Sequence, residues 1–82
     1  MSDIKQLEGW EWNESLAQYE RGDFRVVKYE TESVREYYRL LIRCKEHPEL
    51  DGAMPIELKL VEVVCRSLVN TCKERTGIEL KY

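Results

Sequence analysis

The three cysteines and the single histidine are the residues whose types could do chemistry. Cys44-x-x-His47, with Cys65 and Cys72 further along, has the composition of a Cys₃His zinc site. The spacing argues against it. On the helix that the neighbouring residues predict, Cys65 and Cys72 lie roughly 10.5 Å apart along the axis. Two sulfurs on one tetrahedral zinc sit within about 4 Å of each other. All three cysteines also stand among apolar residues, where a thiol packs as a small hydrophobe. No metal and no cofactor is expected, and neither is a Cys44–Cys65 or Cys44–Cys72 bridge in a reducing compartment. His47 precedes Pro48 at a predicted helix end and suits a contact with the C-terminal dipole. No serine, cysteine or aspartate joins it in a nucleophile signature. The acids are scattered without an obvious acid–base couple, and there is no glycine-rich phosphate loop. Catalysis is not expected.

Binding chemistry is better represented. Arg35, Arg39 and Arg43 recur every four residues, which on a helix makes a straight row. Such a row could track a phosphate backbone or face an acidic protein. Glu32, Glu36 and Glu46 each lie three residues from one of these arginines and can neutralise it. The aromatics Trp10, Trp12, Tyr19, Phe24, Tyr29, Tyr37, Tyr38 and Tyr82 are many for so small a core, and Trp, Tyr and Arg are the types enriched at binding hot spots. The expected partner-binding residues are therefore Trp10, Trp12, Arg35, Tyr38, Arg39 and Arg43, with at least one tryptophan plugging the core. Arg21-Gly22-Asp23 matches the integrin tripeptide, but Gly22 already has a turn or helix-end role. Asn13-Glu14-Ser15 matches a glycosylation acceptor and reads better as a helix cap.

Composition sets the bounds within which these residues act. Eighty-two residues make one small domain, near the lower limit for folding without staples. The chain is 43% hydrophobic and 35% charged, which argues against disorder. Net charge is −3, so no overall basicity draws it to nucleic acid. Residues 1–32 are acidic on balance, and residues 33–82 are slightly basic. No run approaches the ~18 apolar residues of a membrane span. The start MSDIKQLEG lacks a secretory pattern, and the end ELKY matches no usual lipidation or retention tail. With an odd cysteine count, the expected compartment is the cytoplasm.

The elements that must position these residues read as mainly helical. Pro55 to Thr76 carries apolar side chains over an arc of roughly 240°, with Pro55 at the first turn and Gly77 as the closing residue. Ser33-Val34-Arg35-Glu36 matches a capping box and opens a helix over about 34–46, whose apolar arc is roughly 200°. His47-Pro48 ends it, and Glu49 to Met54 is a connecting loop with Asp51-Gly52 as its turn. Helices 34–46 and 55–76 are expected to pack antiparallel. Asn13 caps a short helix 14–21, stopped by Gly22. Residues 24–30 fit either a further helical segment or a strand. The alternative is an α+β fold with a short hairpin within residues 9–30, pairing 14–19 with 24–30 across Arg21-Gly22-Asp23. Ile78 to Tyr82 is a tail or an edge strand.

Leu16 to Phe24 resembles the helix–Gly-Asp–aromatic turn of tetratricopeptide-type repeats. The resemblance covers one turn, residues 33–76 do not continue it, and it implies no function. The expected protein is a small cytoplasmic protein-binding module, a regulator or inhibitor that occludes or bridges a protein partner without catalysis. A homodimer burying the spare face of helix 55–76 is a specific form. The alternative is nucleic-acid binding through Arg35, Arg39 and Arg43, although nucleic acid is the less expected partner.

Overall fold

The computed structural model describes residues 7–29 and 37–82. Its elements are β1 (Glu11–Asn13), β2 (Gln18–Arg21), β3 (Phe24–Tyr29), β4 (Tyr37–Ile42), β5 (Gly52–Ile56) and one α-helix, α1 (Val61–Thr76). Short 3₁₀ turns at Pro48–Leu50 and Leu58–Leu60 flank β5. The five strands form one antiparallel meander in the order β1-β2-β3-β4-β5. The fold is α+β and sheet-rich, which corrects the mainly helical expectation.

The helices expected at 14–21 and 34–46 are absent, each for a physical reason. Residues 14–21 hold a turn followed by β2. Asn13 does make the bond expected of a cap, its Oδ1 accepting the Leu16 N–H at 3.1 Å. Asn side chains make such local bonds to backbone in loops as well as at helix ends, and here the bond closes the loop between β1 and β2. This loop and hairpin also replace the repeat-like helical turn at Leu16 to Phe24. The helix expected at 34–46 is β4 over Tyr37–Ile42, while its capping box lies outside the described residues. Tyr38, Leu40 and Cys44 are buried with a period of two, and the neighbours Tyr37, Arg39 and Arg43 are not. An apolar arc of roughly 200° was the warning: Leu40-Leu41-Ile42 places apolar groups on both parities of a strand. There is consequently no antiparallel helix pair. β4 instead pairs with β5, which occupies part of the expected loop.

The C-terminal helix exists but starts at Val61 rather than Pro55. Ile56 belongs to β5, and Leu58 and Leu60 lie in a 3₁₀ turn. Without them, and apart from Val63, the apolar arc shrinks to roughly 140°, which one sheet can cover. Val63 is 66% exposed. Gly77 ends the helix as expected, at φ 77°, its N–H donating to Lys73 O at 2.9 Å.

Pro55 sits in an edge strand. The Arg43 N–H donates to Asp23 O at 2.7 Å, one step beyond the paired residues Phe24 and Ile42. That bond sets the phase of β4: odd residues bond β3, and even residues bond β5. Leu40 stands opposite Met54, so Pro55 turns its nitrogen to the free edge, where a missing N–H costs no ladder bond. A strand pairing across Gly22-Asp23, weighed above against a helix, is present between β2 and β3. It is one of four ladders rather than a lone hairpin on a helical domain.

The core lies between α1 and one face of the sheet. Phe24, Val26, Leu40, Val61 and Cys65 are fully buried there. Burying Phe24 alone contributes about 3 kcal/mol. Tyr19, Tyr38, Leu7 and Leu80 close the sides. Residues 78–82 form neither helix nor strand. They strap the end of the β2–β3 hairpin, with the Asp23 N–H donating to Lys81 O at 2.9 Å and the Lys81 N–H to Asp23 Oδ2 at 3.0 Å.

Candidate functional site: the helix-free face of the sheet

Among the described residues, one helix covers one face of the sheet and no element covers the other. Strand register assigns its residues. Glu11, Glu20, Arg25, Leu41 and Ala53 stand in one cross-strand row, and Asn13, Gln18, Val27, Arg39 and Pro55 in the next. Tyr29 and Tyr37 face each other in a third row. None of these residues is buried, whereas the opposite face holds Tyr19, Phe24, Val26, Tyr38 and Leu40.

Tyr29 and Tyr37 stack with ring centroids 5.5 Å apart and planes at 21°. The Arg39 guanidinium lies 5.4 Å from the Tyr29 centroid, in cation–π range. The pairing of β3 with β4 makes this arrangement: opposite tyrosines stack, and an arginine two residues along β4 reaches the diagonal ring. Across the face, Glu20 accepts from Gln18 Nε2 at 2.7 Å and Asn13 Nδ2 at 2.9 Å, and lies 3.5 Å from Arg25 Nε. The Gln18 bond first, then the Asn13 bond and the Arg25 charge, hold its carboxyl below the ordinary range against a small desolvation cost. Arg25 is spent inside the fold, since Nη1 also donates to Gly22 O and Phe24 O at 2.8 Å. Arg43 continues the outward row of β4 and is 53% exposed, with only a loose 3.7 Å contact to Asp51. Arg25, Arg43 and Lys45 line a cleft of about 630 Å³ beside the C-terminal strap, together with Asp23, Glu46 and Glu79.

The expected partner-binding residues divide. Arg39 and Arg43 share the open face. Arg35 lies outside the described residues. Tyr38 is 9% exposed and belongs to the core, on the parity opposite to Arg39. Trp10 is half-buried against Tyr82, with centroids 6.1 Å apart. Trp12 is 48% exposed but lies on the helix side, packed edge-on over Tyr19, its indole N–H donating to Glu14 Oε1 at 2.8 Å. The Tyr29–Tyr37 pair was missed as a unit, because the two approach only when residues 24–29 and 37–42 run antiparallel.

The other motifs are absorbed by the fold. Arg21 lies 4.2 Å from the Tyr82 centroid, and Asp23 is held by Lys81, so the Arg-Gly-Asp tripeptide is a structural turn. The three cysteines are free, with Cys44 and Cys65 buried and Cys72 half-buried. Burial pushes the Cys65 thiol up to about 12, although the Arg21 charge pulls the other way. Such a thiol is a packing group. His47 stands 3.4 Å from Glu49, at the start of a 3₁₀ turn. Among the described residues no group of three histidine, cysteine or acidic side chains could hold a metal ion. Among the described residues no helix is long and apolar enough to cross a membrane. Comparison of the chain with protein-family models, with curated proteins and with solved structures finds no match.

Proposed function

We propose that this chain is a small cytoplasmic protein-binding module that regulates or inhibits by occluding or bridging a protein partner, without catalysis, through the helix-free face of its sheet. The observation that carries the reading is the unburied Tyr29–Tyr37–Arg39 cluster on that face. Tyrosine and arginine give large contact areas with a polar handle, and they dominate hot spots where neighbouring groups exclude water. Here they are presented by paired strands, so little ordering entropy remains to be lost on binding. The test is capture of host proteins on immobilised chain. Wild type is compared with a Tyr37→Ser/Arg39→Gln double variant and with Arg66→Gln, whose 67% exposed side chain lies on the helix. A protein retained by wild type and by Arg66→Gln but lost with the double variant supports the reading. Identical capture by all three refutes it.

A second reading is nucleic-acid binding, favoured by one observation: Arg39 and Arg43 stand on the same open face as two tyrosines. It requires binding to single strands at low salt that weakens with salt and on removal of either arginine. No shift of DNA or RNA at low salt removes it.

A further inference from the structure

Although the chain's net charge is −3, the β3–β5 part of the helix-free face is basic, and the two acids of that face, Glu11 and Glu20, stand on β1 and β2. Within β3, β4 and β5 the outward positions hold Arg25, Val27, Tyr29, Tyr37, Arg39, Leu41, Ala53 and Pro55, and no acid. Arg43 extends the row. Four acids near it are already engaged, Glu79 with Lys73 at 3.2 Å among them, while Glu46 lines the same cleft as Arg43. Glu20 is taken by Gln18, Asn13 and Arg25, and Asp23 accepts the Lys81 N–H. Asp51 accepts the Cys44 N–H at 3.1 Å and touches Arg43 only at 3.7 Å. Arg39 has no ion pair among the described residues, and its cation–π contact leaves its N–H groups free for a carboxylate.

The geometry points to an acidic, extended protein segment as the occupant of this face, a reading that rests on the protein-binding proposal above. Two features set its pattern. Arg39 and Arg43 are four strand residues apart, about 13 Å. Between them Leu41, with Val27 beside it, offers a half-buried apolar floor. An extended ligand repeats one side every second residue, so carboxylates four residues apart meet the two arginines while the apolar side chain between them rests on Leu41. Arginine binds carboxylates as a bidentate fork. Single-stranded nucleic acid fits less well. Base recognition needs an open ring face, and Tyr29 already has Tyr37 and Arg39 upon its ring.

The test uses a fluorescein-labelled peptide of repeating Glu-Ser-Leu-Ser, the same peptide with Gln for Glu, and an oligothymidylate strand. Fluorescence anisotropy is read against the full chain. The Glu peptide is expected to bind and to weaken with salt. It should bind at least tenfold less tightly to Arg39→Gln and to Arg43→Gln, and unchanged to Arg66→Gln. Its Gln counterpart should bind at least tenfold more weakly. The inference is overturned by a Glu peptide that fails to bind up to about 1 mM, by equal binding of the Gln peptide, by tighter binding of the oligothymidylate, or by arginine variants that bind like wild type. Any of these beside face-dependent capture of a host protein removes the acidic segment and leaves the protein-binding reading standing. Identical capture by all variants removes that reading itself.

Discussion

Replacing Gly22 with alanine separates two demands that a glycine can meet. Gly22 is the first residue of the two-residue connection between β2 and β3, at φ 60°, where a turn of this length favours glycine. It is also pressed by the C-terminal strap. A Cβ built on Gly22 would overlap Lys81 O and lie 2.6 Å from the Lys81 carbonyl carbon and 3.0 Å from Tyr82 N. Gly77 meets only the first demand, since at φ 77° a Cβ there has nothing within 4 Å. Left-handed alanine costs about 1–2 kcal/mol, and the lower entropy of the unfolded chain returns part of it. Gly77→Ala should therefore lose about 1 kcal/mol. Gly22→Ala must in addition lift the strap. That weakens the two Asp23–Lys81 bonds, about 1 kcal/mol each, and loosens Leu80, which is 6% exposed and worth about 2 kcal/mol. The tail can shift to recover some of this, so the expected cost is about 3 kcal/mol or more. Urea unfolding followed by tryptophan fluorescence reads it as a shifted midpoint at constant slope. Removing residues 78–82 supplies the control: in that background Gly22→Ala should cost no more than Gly77→Ala, as expected of a coupled pair. Equal costs for the two substitutions in the full chain would refute the account of the strap.

Ala17 is the one described non-glycine residue with positive φ, at 52°. Ala17→Gly should stabilise the chain by about 0.5 kcal/mol, seen as a higher urea midpoint, because relief of left-handed strain exceeds the added unfolded-state freedom. Burial raises the Cys65 thiol from 9.0 to about 12. The folded value lies above the unfolded one, so this contribution is complete below about pH 9 and is lost towards pH 12, at up to about 1.4 kcal/mol per pH unit. Cys65→Ala should flatten that part of the stability profile, and an unchanged slope counts against the assignment. Native protein should expose only Cys72 to a thiol reagent, with Cys44 and Cys65 reacting on unfolding. If the chain forms a homodimer through α1, Leu60 and Val63, 43% and 66% exposed, are the side chains it would cover. Light scattering should then show a dimer that Val63→Glu dissociates, and a monomer at high micromolar concentration ends that version.

How much of this was legible in the sequence follows from periodicity. Four residues is close to one helical turn and is also two strand repeats. A residue row spaced by four therefore stays on one side whichever structure forms. This is why Arg39 on β4 and Arg43 just beyond its end keep company although a helix was expected. Tyr38 is expected on the same surface as its neighbour Arg39, but adjacency in a strand means opposite faces. The structure accordingly buries it. The Gly77 stop was equally legible, because it depends on residues within a turn of itself, whereas Asn13 closes a loop and caps no helix.

What the local sequence did not hold was the pairing. Ser33 with Glu36 is a helix-opening pattern, and Asp51-Gly52 is a turn pattern. Both are weak local preferences, worth about 1 kcal/mol or less. Leu40-Leu41-Ile42 outweighs them once β3 lies on one side and β5 on the other. A helix would have to hide both parities of that run, while a central strand buries one against α1 and leaves the other half-covered. The choice of a sheet thereby creates the surface. Two layers of helix would have consumed the tyrosines and the apolar parity of β4 in a common core. One helix on one side of a meander leaves Tyr29, Tyr37, Arg39 and Leu41 side by side with nothing among the described residues above them. The mistaken fold and the missed tyrosine pair thus have one cause, because the contact that decides the first is the contact that assembles the second.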